Sequence, residues 1–166
     1  DSDPVSMTLY DAHYGPVVAM EDGKAYALKT SYADVVNGNE AWYELNFAKD
    51  YTGALAAMKT LTMFPQNLMV ADTSGNTYYQ RTGRVPHRPD GYDWDRPVDG
   101  STSATEWLGI HDPADHVQML NPTQGYMQCC NMPPDALMLN SPLTPDKYPA
   151  YIYSDLGYGE RGGWTT

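Results

Sequence analysis

Apolar and polar residues alternate over the first thirty positions. "VSMTLYDAHYGPVV" (Val5 to Val18) and "KAYALKTSY" (Lys24 to Tyr32) have the two-residue period of half-buried strands, and "EDGK" (Glu21 to Lys24) supplies a turn between them. This predicts a β-hairpin. From Asn39 the period lengthens: Trp42, Leu45, Phe47 and Ala48, then Leu55, Met58 and Leu61, recur at helical spacing. Two short helices hinged near Asp50 to Gly53 follow, with Asn37 or Asn39 capping the first and Thr52 the second. After Pro65, "NLMVADTSGNTYYQRTGRVPHRP" reads as strand, Ser-Gly-Asn turn and strand. Asp72 is expected to close that turn through its side chain, with Gly75 and Asn76 at positive φ.

Regularity then fails. Between Arg84 and Asn121 the chain carries Pro86, Pro89, Pro97 and Pro113 among many Asp, Gly and Ser residues, and Pro122 follows directly. Ion pairs of Arg81, Arg84 and Arg88 with Asp90, Asp93, Asp95 and Asp99 are expected to organise this loop, and Trp94 and Trp107 to anchor it by burial. A last strand is expected over Gly125 to Cys130, before a tail rich in proline and tyrosine suited to lie extended over another surface. Five or six strands, two helices and much coil make a thin core for 166 residues. The chain therefore reads as a single segment, 1–166, of a larger protein rather than a complete domain.

Composition narrows the function. A net charge of -11 with only 10 Lys plus Arg excludes a surface that tracks nucleic-acid phosphates, since counterion release needs clustered cations. No apolar run approaches the roughly 18 residues of a membrane span, so no membrane insertion is expected. The start, "DSDPVSMTLY", also lacks the charged and apolar regions of a signal peptide. Fourteen tyrosines against two phenylalanines leave a Tyr-rich surface, which also fits a non-catalytic extracellular binding module presenting irregular loops to sugar or protein.

Candidate chemistry is sparse. The neighbours Cys129 and Cys130 close no useful loop and have no His or Lys beside them to activate a thiol, so they read as packing. His13, His87, His111 and His116 show no ligand spacing with the cysteines, which argues against zinc. His13, beside Gly15-Pro16, reads as strand-end packing. Asn131, ahead of Pro133 and Pro134, is either a turn residue or an amide donor to a site.

Several segments, in this order, resemble the large subunit of the penicillin acylase family, the N-terminal-nucleophile hydrolases that include acyl-homoserine lactone and aculeacin acylases. They are "HYGPVV" (His13 to Val18), "YALKTS" (Tyr26 to Ser31), "PQNLMVADTSGNTYYQRTGRVPHRP" (Pro65 to Pro89), "RPVDG" with "EWLG" (Arg96 to Gly100 and Glu106 to Gly109), and "NPTQGYMQCCNMPP" (Asn121 to Pro134). The resemblance implies an α+β chain, part of a four-layer αββα fold with mostly antiparallel strands, two short helices and long irregular loops. It also implies a hydrolase that cleaves an amide between an acyl chain and an amine through an acyl-enzyme. In that family a Ser, Thr or Cys exposed by autoproteolysis uses its own α-amino group as base. It lies upstream of the "HYGPVV" segment. This chain, beginning at Asp1, is expected to lack the nucleophile and to be inactive alone.

By the same resemblance Asn131 supplies a side-chain amide to the oxyanion hole, a donor whose loss typically costs about 2.7 to 4 kcal/mol. Arg161, the only arginine after Asn131, is the candidate that orients it. Asp155, in "YPAYIYSDL", is the candidate ligand of a structural calcium, and no other cofactor is implied. The implied partners are the small subunit and the N-terminal part of the large subunit, with a small acylated amine as substrate. A periplasmic or secreted location is implied likewise.

Overall fold

The computed structural model describes residues 4–153, which divide after Asp34 into two compact units. The first holds three antiparallel strands in sequence order, β1 (Asp11–Ala12), β2 (Gly15–Glu21) and β3 (Lys24–Ala27). The β2–β3 turn is the expected one: Asp22 and Gly23 both take positive φ, 50° and 72°, which aligns the two-residue turn with the twist of its strands. The expected first strand, however, is not continuous. A tight turn at His13 and Tyr14 folds it back, pairing Ala12 with Gly15, and residues 5–10 form no strand. Gly15 makes this possible, because its φ is 135° and a Cβ there would lie 2.3 Å from the Leu28 carbonyl oxygen. His13 is an exposed turn residue with its ring 3.8 Å from that of Tyr14, not the end of a packed strand.

The second unit opens with α1 (Glu40–Leu45) and α2 (Tyr51–Met58), the two short helices the period change predicts. Their faces match the expected ones only in part: Met58 is buried and Leu45 packs against the buried cluster as expected, but the large aromatics do not. Ala41, Ala54, Ala57 and Met58 are buried with Met63, whereas Trp42, Tyr43 and Phe47 are exposed. Small side chains let the helices approach closely, so the large aromatics are turned outward. The cap of α2 is Asp50 rather than Thr52: its carboxylate accepts from the Gly53 N–H at 2.9 Å, and the Thr52 hydroxyl donates to the same oxygen. Asn39 occupies the α1 cap position without a side-chain cap bond.

The best-formed element is the hairpin of β4 (Asn67–Ala71) and β5 (Thr77–Arg81). Asp72 closes its turn as expected, accepting from the backbone N–H groups of Ser74 and Asn76 and from the Asn76 side chain. Those bonds, the Asn76 amide foremost, hold the Asp72 carboxyl below its usual range. Gly75 takes φ 85°; Asn76 is not in the left-handed region, because its side chain already satisfies the turn. The third strand of this sheet is β6 (Gln118–Leu120), inside the segment expected to be irregular. Gly125 to Cys130 forms no strand: Gln128 donates its N–H to Leu137 instead of entering a ladder.

β5 lies at the centre of the sheet, and Tyr79 anchors the core with Val117, Leu137, Met138, Leu143, Ile152 and Tyr153. The irregular loop is held partly as the charge pattern indicated, with Asp95 acting on Arg88, and partly by rings. Arg88 lies over the rings of Trp94 and Tyr151, at 5.5 and 5.3 Å, and the Trp94 indole donates to the Pro89 carbonyl. An ion pair joins Arg96 to Asp93, both exposed.

His116 is 2% exposed, with Nδ1 on the Arg81 carbonyl at 3.1 Å and Nε2 buried without a hydrogen bond. Burial pushes its pKa below the ordinary value of 6.5, outweighing the Arg81 bond. The folded state then binds this proton less readily than the unfolded state does. Stability is full above pH 6.5 and declines as pH falls from there toward the depressed folded pKa. Urea midpoints measured between pH 7.5 and 5 are expected to fall in the native protein, and a His116→Gln variant is expected to lose the part of that slope near pH 6.

Candidate functional site

Asn131 sits at a kink built by the residues on either side of it. Its φ is 61°, a left-handed conformation that asparagine tolerates better than most residues, and it is exposed. Directly after it, Met132, Pro133 and Pro134 are buried, and a short 3-10 turn, Pro134–Ala136, carries the chain to fully buried Leu137. The exposed amide therefore stands on a rigid base.

Four contacts lock that base. Gln128 donates its backbone N–H to the Leu137 carbonyl at 2.8 Å and its side-chain amide to the Ala136 carbonyl at 2.9 Å, clamping the two arms of the loop together. Ser141 donates to the Pro134 carbonyl at 2.8 Å, and the Asp135 N–H donates to the Tyr153 hydroxyl at 3.1 Å. The first arm is tied to the sheet as well. Tyr79 donates its hydroxyl to Asn67 Oδ1 at 2.8 Å, and Asn67 Nδ2 donates to Cys129 Sγ at 3.0 Å. Burial pushes the Tyr79 phenol well above its ordinary pKa, so it remains a neutral donor. Cys129 packs against the main core, which agrees with a structural thiol, and Cys130 is half-buried.

Of the site residues expected from sequence, Asn131 alone lies among the described residues; Asp155 and Arg161 lie outside them. The positioning set of Asn67, Tyr79, Gln128, Ser141 and Tyr153 was not foreseen. Nothing marks Asn67 or Gln128 in the sequence, because their partners stand 62 residues away in one case and 8 in the other.

The architecture has a counterpart among solved structures. A thermostable penicillin G acylase from Alcaligenes faecalis superposes with a TM-score of 0.69 at 29% sequence identity, over 89% of this chain and 25% of that one. The chain is thus an α+β part of an N-terminal-nucleophile hydrolase fold, with antiparallel sheets, two short helices and long loops as the sequence led us to expect.

A family profile described as Penicillin amidase matches residues 1–165, and the chain belongs to that family. An acyl-homoserine lactone acylase QuiP from Pseudomonas fluorescens Pf-5 is 28% identical over 134 residues, covering 77% of this chain and 16% of that protein. A QuiP from Pseudomonas syringae pv. tomato is 24% identical over 163 residues, covering 95% of this chain and 18% of that protein. The chain therefore spans less than a fifth of the length of these relatives.

Proposed function

We propose that this chain is the oxyanion-stabilising and scaffolding portion of an acylase that hydrolyses the amide between an acyl chain and an amine. The observation that carries the reading is Asn131: an exposed amide at a left-handed kink, on a base of buried residues locked by Gln128, Ser141 and Tyr153. A neutral donor fixed before the reaction stabilises charge that appears only in the transition state, and needs no reorganisation at that moment.

In this reading an N-terminal Ser, Thr or Cys on another segment attacks the amide carbon, and its own α-amino group takes the proton. The carbonyl oxygen becomes an alkoxide and accepts a hydrogen bond from Asn131 Nδ2. Collapse expels the amine, which receives the proton, and leaves the acyl group on the nucleophile. Water then hydrolyses that ester or thioester, releasing the acid and regenerating the enzyme. Arg161 orients Asn131 and the amino terminus, and Asp155 contributes one oxygen to a structural calcium. The names of the relatives favour acyl-homoserine lactones and penicillins as substrate classes. A periplasmic or secreted location accompanies the reading.

The partners are further segments of the same precursor. In support, no described residue of the first unit is buried, and Trp42, Tyr43 and Phe47 on α1 lie open in the second. Apolar surface left open in this way needs a cover.

The test is amine release by the complete processed protein from N-acyl-homoserine lactones and from phenylacetylated amines, with mass spectrometry of the enzyme quenched during turnover. Hydrolysis with an acyl adduct on an amino-terminal Ser, Thr or Cys is the expected result. No release from any acylated amine would overturn the reading.

A further inference from the structure

The irregular loop brings together three metal-ligating side chains that sequence spacing does not reveal. Residues 85–87 and 108–111 run antiparallel: His87 N–H donates to the Gly109 carbonyl, Leu108 N–H to His87, and His111 N–H to Val85, each at 2.9 Å. This pairing stacks the imidazoles of His87 and His111, with ring centroids 3.4 Å apart. The 3-10 turn Pro113–Asp115 then returns Asp115 to the same place, where its Oδ2 lies 3.4 Å from His111 Nδ1. Donor atoms of His87, His111 and Asp115 all lie within 4.8 Å of one another.

We propose that His87, His111 and Asp115 form a binding site for a divalent transition metal of the zinc type, which clips this loop together. The donor set suits that class: two imidazoles and one carboxylate match Zn2+, whereas calcium calls for oxygens alone. A tetrahedral ion bound at about 2.0–2.2 Å needs its ligand atoms roughly 3.5 Å apart. The His111–Asp115 pair already has that separation, and His87 completes the set by swinging out of its stack on His111. Water completes the coordination.

A second contact supports the assignment. His111 Nε2 lies 3.2 Å from the Tyr151 hydroxyl, itself under the guanidinium of Arg88. A metal-bound imidazole characteristically gives its other N–H to a fixed acceptor, which sets the tautomer. With a metal on Nδ1 the proton sits on Nε2, where the Tyr151 hydroxyl is placed to accept it. His111 is buried and Asp115 half-exposed, so the site has a dry wall and an open side for entry.

The experiment uses the full-length protein stripped with chelator and titrated with ZnCl2 by calorimetry, and separately with CoCl2 by visible absorption. One equivalent bound, with the intense Co2+ bands of a four-coordinate site, is expected. His87→Phe keeps a stacked ring but removes a ligand, and Asp115→Ala alters an exposed side chain. Each should weaken binding by more than about a hundredfold, and Tyr151→Phe, which removes only the outer partner, by about tenfold. Absence of stoichiometric binding by the native protein would overturn the proposal and leave His111–Asp115 as an ordinary hydrogen bond. Native-like affinity in both His87→Phe and Asp115→Ala would overturn it too.

Discussion

Replacing Asn131 by glycine in the complete enzyme is expected to lower turnover by about a hundredfold or more while leaving stability nearly unchanged. The loss corresponds to one oxyanion donor, about 2.7 to 4 kcal/mol of transition-state stabilisation. Glycine is the informative substitution because Asn131 holds φ at 61°, which glycine adopts without strain. Alanine there adds a backbone penalty to the missing amide and confuses the two effects. Because the donor meets charge that is absent from the bound substrate, kcat should fall with little change in KM. Steady-state kinetics on one acylated amine, beside a thermal melt, measure both quantities. Turnover within a few fold of the native enzyme removes Asn131 from the oxyanion site.

Leu137→Ala is expected to do the opposite. Leu137 is fully buried in the main core, and its carbonyl accepts the Gln128 bond that closes the loop bearing Asn131. Deleting a buried leucine side chain leaves a cavity, and such changes cost about 2–5 kcal/mol. Urea unfolding monitored by tyrosine and tryptophan fluorescence reads that loss as a lower midpoint. The amide donor itself is untouched, so the residual activity of the folded fraction should exceed that of Asn131→Gly by tenfold or more. Unaltered stability would mean that this core does not support the loop.

What could be read from the chain follows from where the information is local. The β4–β5 hairpin was legible because Asp72 and Gly75 fix the turn within five residues, and the strands on each side keep their period. Asn131 was singled out by resemblance, and a turn residue before two prolines is in any case legible as a kink. Around α1, Trp42 and Phe47 were placed on the wrong face for a reason of size, while Met58 of α2 was placed correctly. Hydrophobicity ranks Trp42 and Phe47 above Ala41 and Ala57, but close helix packing selects the small residues. Strand β6 has three residues, one of them Gln118, and exists because β5 offers it an edge. Conversely, Gly125 to Cys130 has strand-like composition yet spends Gln128 on clamping a loop. Such choices belong to tertiary partners distant in sequence, as does the meeting of His87 with His111.

The first unit has a consequence for the order of folding. Its three strands are joined by two-residue turns, so pairing needs little loop closure and is fast. None of its described residues is buried, so its pairing rests on hydrogen bonds and surface contacts rather than on a core. Its pairing is therefore expected to open readily until further segments of the proposed precursor cover it. The β4–β5–β6 sheet, closed around Tyr79, persists without waiting. Under the proposed assembly with further segments of the precursor, maturation would be paced by the arrival of cover over β1–β3.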